Sequence, residues 1–120
     1  MRRLGAEEIR DAILAASGTI NIKVGGPGVY PPMPEEVLKT SSMASAMWFQ
    51  SPEEEWTRRS VYIHVKRSLL TPILQDFDLA DTDATCPVRF ATTQPGQALS
   101  LLNSDFAHEQ AAALAERLRR

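Results

Sequence analysis

The chain has 120 residues and a mass of 13.3 kDa, with 43% hydrophobic and 23% charged residues, a formal net charge of −2 and a pI near 5.7. A single domain with a modest core follows, since a chain of this size buries roughly 65% of the surface that it exposes when unfolded. The composition argues against disorder, the acidic balance removes the electrostatic case for nucleic acid, and the lone Cys86 excludes an internal disulfide or a multi-cysteine zinc site.

No apolar run approaches the roughly 20 residues of a membrane helix. Met1-Arg2-Arg3-Leu4 is followed by Glu7-Glu8-Ile9-Arg10-Asp11 in place of an apolar signal region, so neither an anchor nor an export signal is expected in the chain as given. Ile9, Ala12, Ile13 and Ala16 recur at helical spacing and predict a helix over Ala6–Ser17. Glu7 and Glu8 suit its first turn, where the helix dipole favours anions, and Gly18 is placed to close it. Glu7, Arg10 and Asp11 are expected on its solvent face.

Thr19 to Val24 alternates Ile20, Ile22 and Val24 with polar residues, which predicts a short extended segment with one buried side. Gly25-Gly26-Pro27-Gly28 ends it as a plain turn. A phosphate loop would need Lys-Ser/Thr and a helix after the last glycine, and Val29-Tyr30-Pro31-Pro32 stands there instead. Pro31, Pro32 and Pro34 break regular structure, leaving a single helical turn at most over Glu35–Leu38. Lys39 to Glu55 reads as a long irregular connection. Trp48, Phe49 and Trp56 bracket it and are expected to pin it to the core, with a stacking platform for sugar or peptide as the alternative.

Thr57 to Leu70 fits both periods, since Val61, Ile63 and Val65 alternate while Val61, Val65 and Leu69 form a helical stripe. Its length favours a helix. Arg58, Arg59, Lys66 and Arg67 would then form one basic patch, either a salt-bridged face or a site for phosphate, sulfate or carboxylate. Pro72 is expected to end or kink this helix. Asp76, Asp78, Asp81 and Asp83 resemble a calcium loop only superficially, because Asp81 and Pro87 stand where an EF-hand needs glycine and glutamate. Turn and capping roles are expected for them.

Between Cys86 and Asn103, Pro87 and Pro95 prevent one continuous helix, and Thr92 or Thr93 is placed to cap a new one with Pro95 in its first turn. Gln97–Leu102 is predicted helical, with Leu99 to Leu102 entering the core. Asn103-Ser104-Asp105 supplies caps for a last helix whose apolar stripe is Ala107, Ala111, Leu114, Ala115 and Leu118. These two helices read as a hairpin or kinked pair covering the core. For catalysis, Cys86 would need His64 or His108 as a base, and His108-Glu109 lacks the second histidine of a zincin helix. No catalytic set, metal site or cofactor is read from the residues.

Several separate motifs occur in a familiar order. They are Arg3-Leu4, Ala6-Glu7, Ile9-Arg10-Asp11, Ser17-Gly18, Gly25-Gly26-Pro27, Arg58-Arg59-Ser60-Val61-Tyr62, Lys66-Arg67, Phe77-Asp78, Cys86, Arg89, Thr92-Thr93 and Gln97-Ala98-Leu99 to Leu102-Asn103. In these the chain resembles the DUF1553 family, the C-terminal domain of unknown function of large planctomycete proteins that often carry a cytochrome c-like domain. The match runs nearly end to end and is weakest from Lys39 to Glu55.

The resemblance implies that residues 1–120 are a single domain, the C-terminal portion of a larger family domain, and that the parent is exported, hence extracytoplasmic. It also leaves open a pairing of Cys86 with a cysteine of the parent protein outside this chain. The haem attachment motif Cys-x-x-Cys-His is absent, so no haem function carries over, and the family brings no established activity.

The expectation is a mostly α, small irregular domain of about four helices with long Pro/Gly/Ser-rich loops and one short extended segment. Its expected role is structural or interactive, through the remainder of a larger parent protein or self-association, with neither nucleic acid nor membrane as a partner. One alternative is binding or processing of an anionic polysaccharide by Arg58, Arg59, Lys66, Arg67 and Arg89 with Trp56 or Tyr62 stacking. Another is a thiol role for Cys86.

Overall fold

Gly5 and Gly18 set the bounds of the first helix, α1 (Ala6–Ser17), in the computed structural model, which describes residues 2–40 and 48–120. Gly5 offers no side-chain cap, and Glu8 closes the helix start by accepting from the Gly5 N–H at 2.7 Å. Gly18 takes φ 81 and donates to the Leu14 and Ala15 carbonyls, a left-handed closure that costs glycine little. The helix turns Ala6, Arg10, Leu14 and Ser17 inward and keeps Ile9 and Ile13 against the core edge.

This corrects the expected solvent position of Arg10, which is 2% exposed. Its place four residues from both Ala6 and Leu14 puts it on the buried stripe, where its donors meet backbone carbonyls.

Among the described residues the other α-helices are α2 (Glu35–Lys39), α3 (Pro72–Asp76), α4 (Pro95–Asn103) and α5 (Asp105–Arg119). The protein is mostly α, as expected. Helix α1 packs on α3 and α5, while α4 touches both α3 and α5. Pro72 opens α3 at its first position, where its missing N–H costs nothing, and does not end a preceding helix.

No helix forms over Thr57–Leu70. The segment holds a 3-10 turn at Ser60–Tyr62 and a tight turn at Arg67–Ser68 closed by an antiparallel bridge between Lys66 and Leu69, with Ile63 and Leu69 buried and Val61 and Val65 facing out. Parallel bridges join Asn21 to Arg58 and Val29 to Ile63. The Val29 N–H donates to the Tyr62 carbonyl, and the His64 N–H donates to that of Val29, each at 2.8 Å. Ile63, which is extended, loses little in this conformation as a β-branched residue, and its pairing with Val29 decides against the helical stripe.

The Thr19–Val24 segment is irregular apart from a bridge at Asn21, and Ile22 and Val24 are 75% and 86% exposed, which corrects the buried side expected for them. Asn21 makes the segment's β-bridge among the described residues, to Arg58, and Ile20 is the half-buried apolar residue of the three.

Among the described residues two small cores result. Ala6, Ile63, Ile73, Leu74 and Phe77 form one, with Ile9, Ile13, Leu79 and Phe106 packed against it. Met33, Trp48 and Leu69 form the other, flanked by Tyr30, Val37 and Leu38. Trp48 anchors the second through an Nε1–H donated to the Pro31 carbonyl at 3.0 Å, whereas Phe49 is 75% exposed. The irregular connection expected from Lys39 to Glu55 lies at 41–47 outside the described residues. At its far end Glu53–Glu55 makes a 3-10 turn, and the Trp56 Nε1–H donates to the Ser51 carbonyl.

The last two helices depart most from their predicted faces. Gln94, not Thr92 or Thr93, caps α4. Helix α4 turns Gln97 inward, while Leu99, Leu101 and Leu102 stand 57%, 37% and 67% exposed. The expected entry of Leu99 to Leu102 into the core is thereby corrected. The α4 residues facing the body are held by hydrogen bonds, with Ser100 Oγ donating to the Asp76 carboxylate and Gln97 Nε2 to the Asp76 carbonyl at 3.0 Å.

Helix α5 starts at Ser104, whose Oγ accepts from the Ala107 N–H at 3.2 Å. Its packed side runs through Phe106, Ala107, Gln110, Ala113 and Leu114, leaving Ala111, Ala115 and Leu118 exposed. That is a rotation from the predicted stripe, fixed by Gln110 accepting from both Ser17 and Thr19.

Candidate functional site

Long connections leave carbonyls without ladder partners, and buried carbonyls need donors. Arginine supplies five. Arg10 donates to the Arg58 carbonyl at 2.9 Å, the Trp56 carbonyl at 2.7 Å and Ser60 Oγ at 3.2 Å, with its guanidinium 5.4 Å from the Phe106 ring centre. Burial pulls its pKa down to about 10, with Asp11 opposing, so it stays charged at neutral pH.

Arg58, 1% exposed, lies under the glycine turn and donates to the Gly25 and Lys23 carbonyls and to Glu55 at 3.1 Å. Its guanidinium stacks 4.1 Å from the Tyr62 ring, and the Tyr62 hydroxyl accepts from the Gly25 N–H at 3.0 Å. The Lys23 ammonium first, then Arg58, holds the Glu55 carboxyl below its usual range. Gly25 and Gly26 take φ 78 and 91, which the turn requires.

A second arginine assembly closes the segment between Asp78 and Thr92. The Asp78 carboxylate accepts the Thr92 N–H at 2.8 Å, its Oγ–H at 2.9 Å and the Arg3 guanidinium at 2.8 Å. Arg3 also donates to the Phe77 and Thr92 carbonyls. These bonds, the Thr92 N–H foremost and Arg3 after it, hold the Asp78 carboxyl below its usual range. Asp78 sits at φ 61, a left-handed position that aspartate tolerates better than most residues. The chain from 81 to 91 is exposed throughout, so polar bonds alone hold this strap down.

Between the strap and the start of α1 lies a cleft of about 490 Å³, walled by Leu4, Val61, Phe77 and Phe90 and rimmed by charges of both signs. Arg89 meets Glu7 at 2.8 Å and Arg2 meets Glu8 at 3.4 Å.

The residues expected to form an anion site are dispersed onto partners within the chain. Arg58 is inside, paired with Glu55; Arg59 is exposed and meets Asp11 at 3.5 Å; Arg67 meets Asp83 at 2.5 Å. Arg59 and Arg89 are brought to consecutive turns of α1 through Asp11 and Glu7. Lys66 is half-buried, and its carbonyl accepts from the Leu69 N–H at 3.2 Å. Trp56 is half-buried, and Tyr62 has its ring against Arg58. Cys86 is exposed, with its thiol donating to the Val88 carbonyl at 3.3 Å. Among the described residues no three His, Cys, Asp or Glu side chains gather as a metal site.

Sequence reasoning missed Arg3, Arg10, Asp78 and Thr92. Arg10 had a readable signal in the stripe Ala6-Arg10-Leu14, whereas the meeting of Asp78 with Thr92 and Arg3 across 14 and 75 positions had none.

Fold and site together define a small helical domain whose long connections are tied by buried guanidinium groups and which carries a strap-walled cleft. The chain belongs to the family described as a protein of unknown function (DUF1553), whose model matches residues 1–120. Neither a curated protein nor a solved structure matches it.

Proposed function

We propose that the domain is a non-catalytic packing and interaction module of a larger exported protein, and that the leucine face of α4 is the surface it presents. The observation behind this reading is the inverted α4, which puts Gln97 inside at 8% exposure while Leu99 and Leu102 stand outside at 57% and 67%. Leaving two leucines in water forgoes about 1.5–3 kcal/mol each, which a covering surface would recover. Helix α4 carries no charged side chain, so its outer face offers an apolar partner no desolvation penalty from charge. The reading takes its context from the family resemblance, whose large planctomycete members are typically exported and often carry a cytochrome c-like domain, and assigns the cover of this face to the remaining chain of such a parent or to a second copy.

The test is the double variant Leu99→Ser/Leu102→Ser. Wild type should bind an apolar fluorophore such as ANS or self-associate in analytical ultracentrifugation, and the variant should lose most of either while keeping its urea midpoint. A wild-type monomer without ANS binding, or a variant destabilised by more than about 2 kcal/mol as a core truncation would be, refutes the reading.

A further inference from the structure

Leu4, Val61 and Phe90 are 46%, 69% and 80% exposed, and all three line the same cleft, of about 490 Å³, between the start of α1 and the strap. They come from three separate parts of the chain. The fold gains little from holding Phe90 there, because the strap is tied by the Asp78, Thr92 and Arg3 bonds and not by apolar burial. The volume falls within the roughly 300–1,000 Å³ of ordinary ligand pockets.

The rim narrows the class of occupant. Arg2, Arg3 and Arg89 are balanced by Glu7, Glu8 and Asp78, so a polyanion meets three carboxylates and a polycation meets three guanidinium groups. A peptide main chain, by contrast, needs donors and acceptors side by side. The Arg89–Glu7 pair is half-exposed on the arginine side and the Arg2–Glu8 pair more so, at 82% and 52%. Surface pairs contribute little free energy, so replacing one by bonds to a peptide costs little.

We propose that this cleft binds an extended peptide segment of a protein partner, with one large apolar side chain seated among Leu4, Val61 and Phe90. Arg89 donates to a main-chain carbonyl of the peptide and Glu7 accepts a main-chain N–H, each leaving its present partner. The latch at Asp78 stays closed and holds Phe90 over the seated side chain. This surface is distinct from the α4 face, and the two succeed or fail separately.

Random heptapeptides displayed on phage are selected on the 120-residue chain, and enriched peptides are titrated by fluorescence anisotropy against variants. The expected peptides share a bulky apolar residue and lose about tenfold or more in affinity with Phe90→Asp or Val61→Asp, a loss of hot-spot size. They bind unchanged to Leu118→Asp, at the end of α5, and to Leu102→Ser on α4. Both cleft positions are exposed, so these variants retain the fold, which far-UV circular dichroism checks. Failure to enrich any sequence, enriched peptides indifferent to Phe90→Asp, or peptides lost with Leu102→Ser instead each overturn the proposal. Displacement of a bound peptide by a heparin hexasaccharide at equal concentration also overturns it, in favour of an anion site.

Discussion

Replacing Arg10 with Met tests whether buried guanidinium groups hold the connections in place. Methionine fills similar space on the inner face of α1 but donates nothing, so the Trp56 and Arg58 carbonyls and Ser60 Oγ lose donors at 2.7, 2.9 and 3.2 Å. Each buried acceptor left unmade costs about 1–3 kcal/mol. Removing the charge returns part of this, because burial disfavours the charged form, as the lowered pKa of about 10 records. The net expectation is a loss of about 2–4 kcal/mol. With a urea slope of about 1.5 kcal/mol/M for a domain of this size, the midpoint should fall by about 2 M. Arg10→Lys should fall between, since a single ammonium cannot span acceptors set apart for a planar fork. A methionine variant with its midpoint within about 0.3 M of wild type would refute the reasoning, because the carbonyls would then be satisfied without the arginine.

Further expected outcomes concern the latch and the helix closure. Asp78 has a depressed folded pKa, so its contribution is fully present above its unfolded value near 3.8 and is lost as pH falls through the lower folded value. In an acid titration followed by circular dichroism, wild type should therefore lose more stability below about pH 4 than Asp78→Asn, and equal losses would exclude the latch. At neutral pH Asp78→Asn keeps the left-handed backbone but should weaken the protection of the Thr92 amide in hydrogen exchange, at a global cost of about 1 kcal/mol. Gly18→Ala forces a side chain into φ 81 and puts its Cβ 3.3 Å from Arg117 Cδ. It should cost about 1–2 kcal/mol, or about 4–8 °C in Tm by calorimetry.

Local signals were the legible part of this protein. Helix α1 and its closing glycine, Pro95 in the first turn of α4 and the Ser104 cap of α5 all follow from side chains acting on their own backbone neighbours. Mostly helical architecture followed from these. The segment from Thr57 to Leu70 was not legible, because its two apolar periods were nearly equal and the hydrogen bonds of Val29, some 34 residues away, decided between them.

The arginines show the same division more sharply. The sequence by itself placed Arg3, Arg10, Arg58 and Arg89 in the chain and offered, of these four, only Arg58 and Arg89 as ligands for an anion. Tertiary structure decided that Arg10 and Arg58 go inside, that Arg3 closes the strap and that Arg89 stays at the rim. The physical reason is that a charged group is buried only where enough acceptors converge on it. The acceptors here are carbonyls of extended segments distant in sequence, whose convergence no local pattern encodes. The same cause turned α4 over: Gln97 and Ser100 found their partners at Asp76 and Thr92, and the leucines were left facing outward.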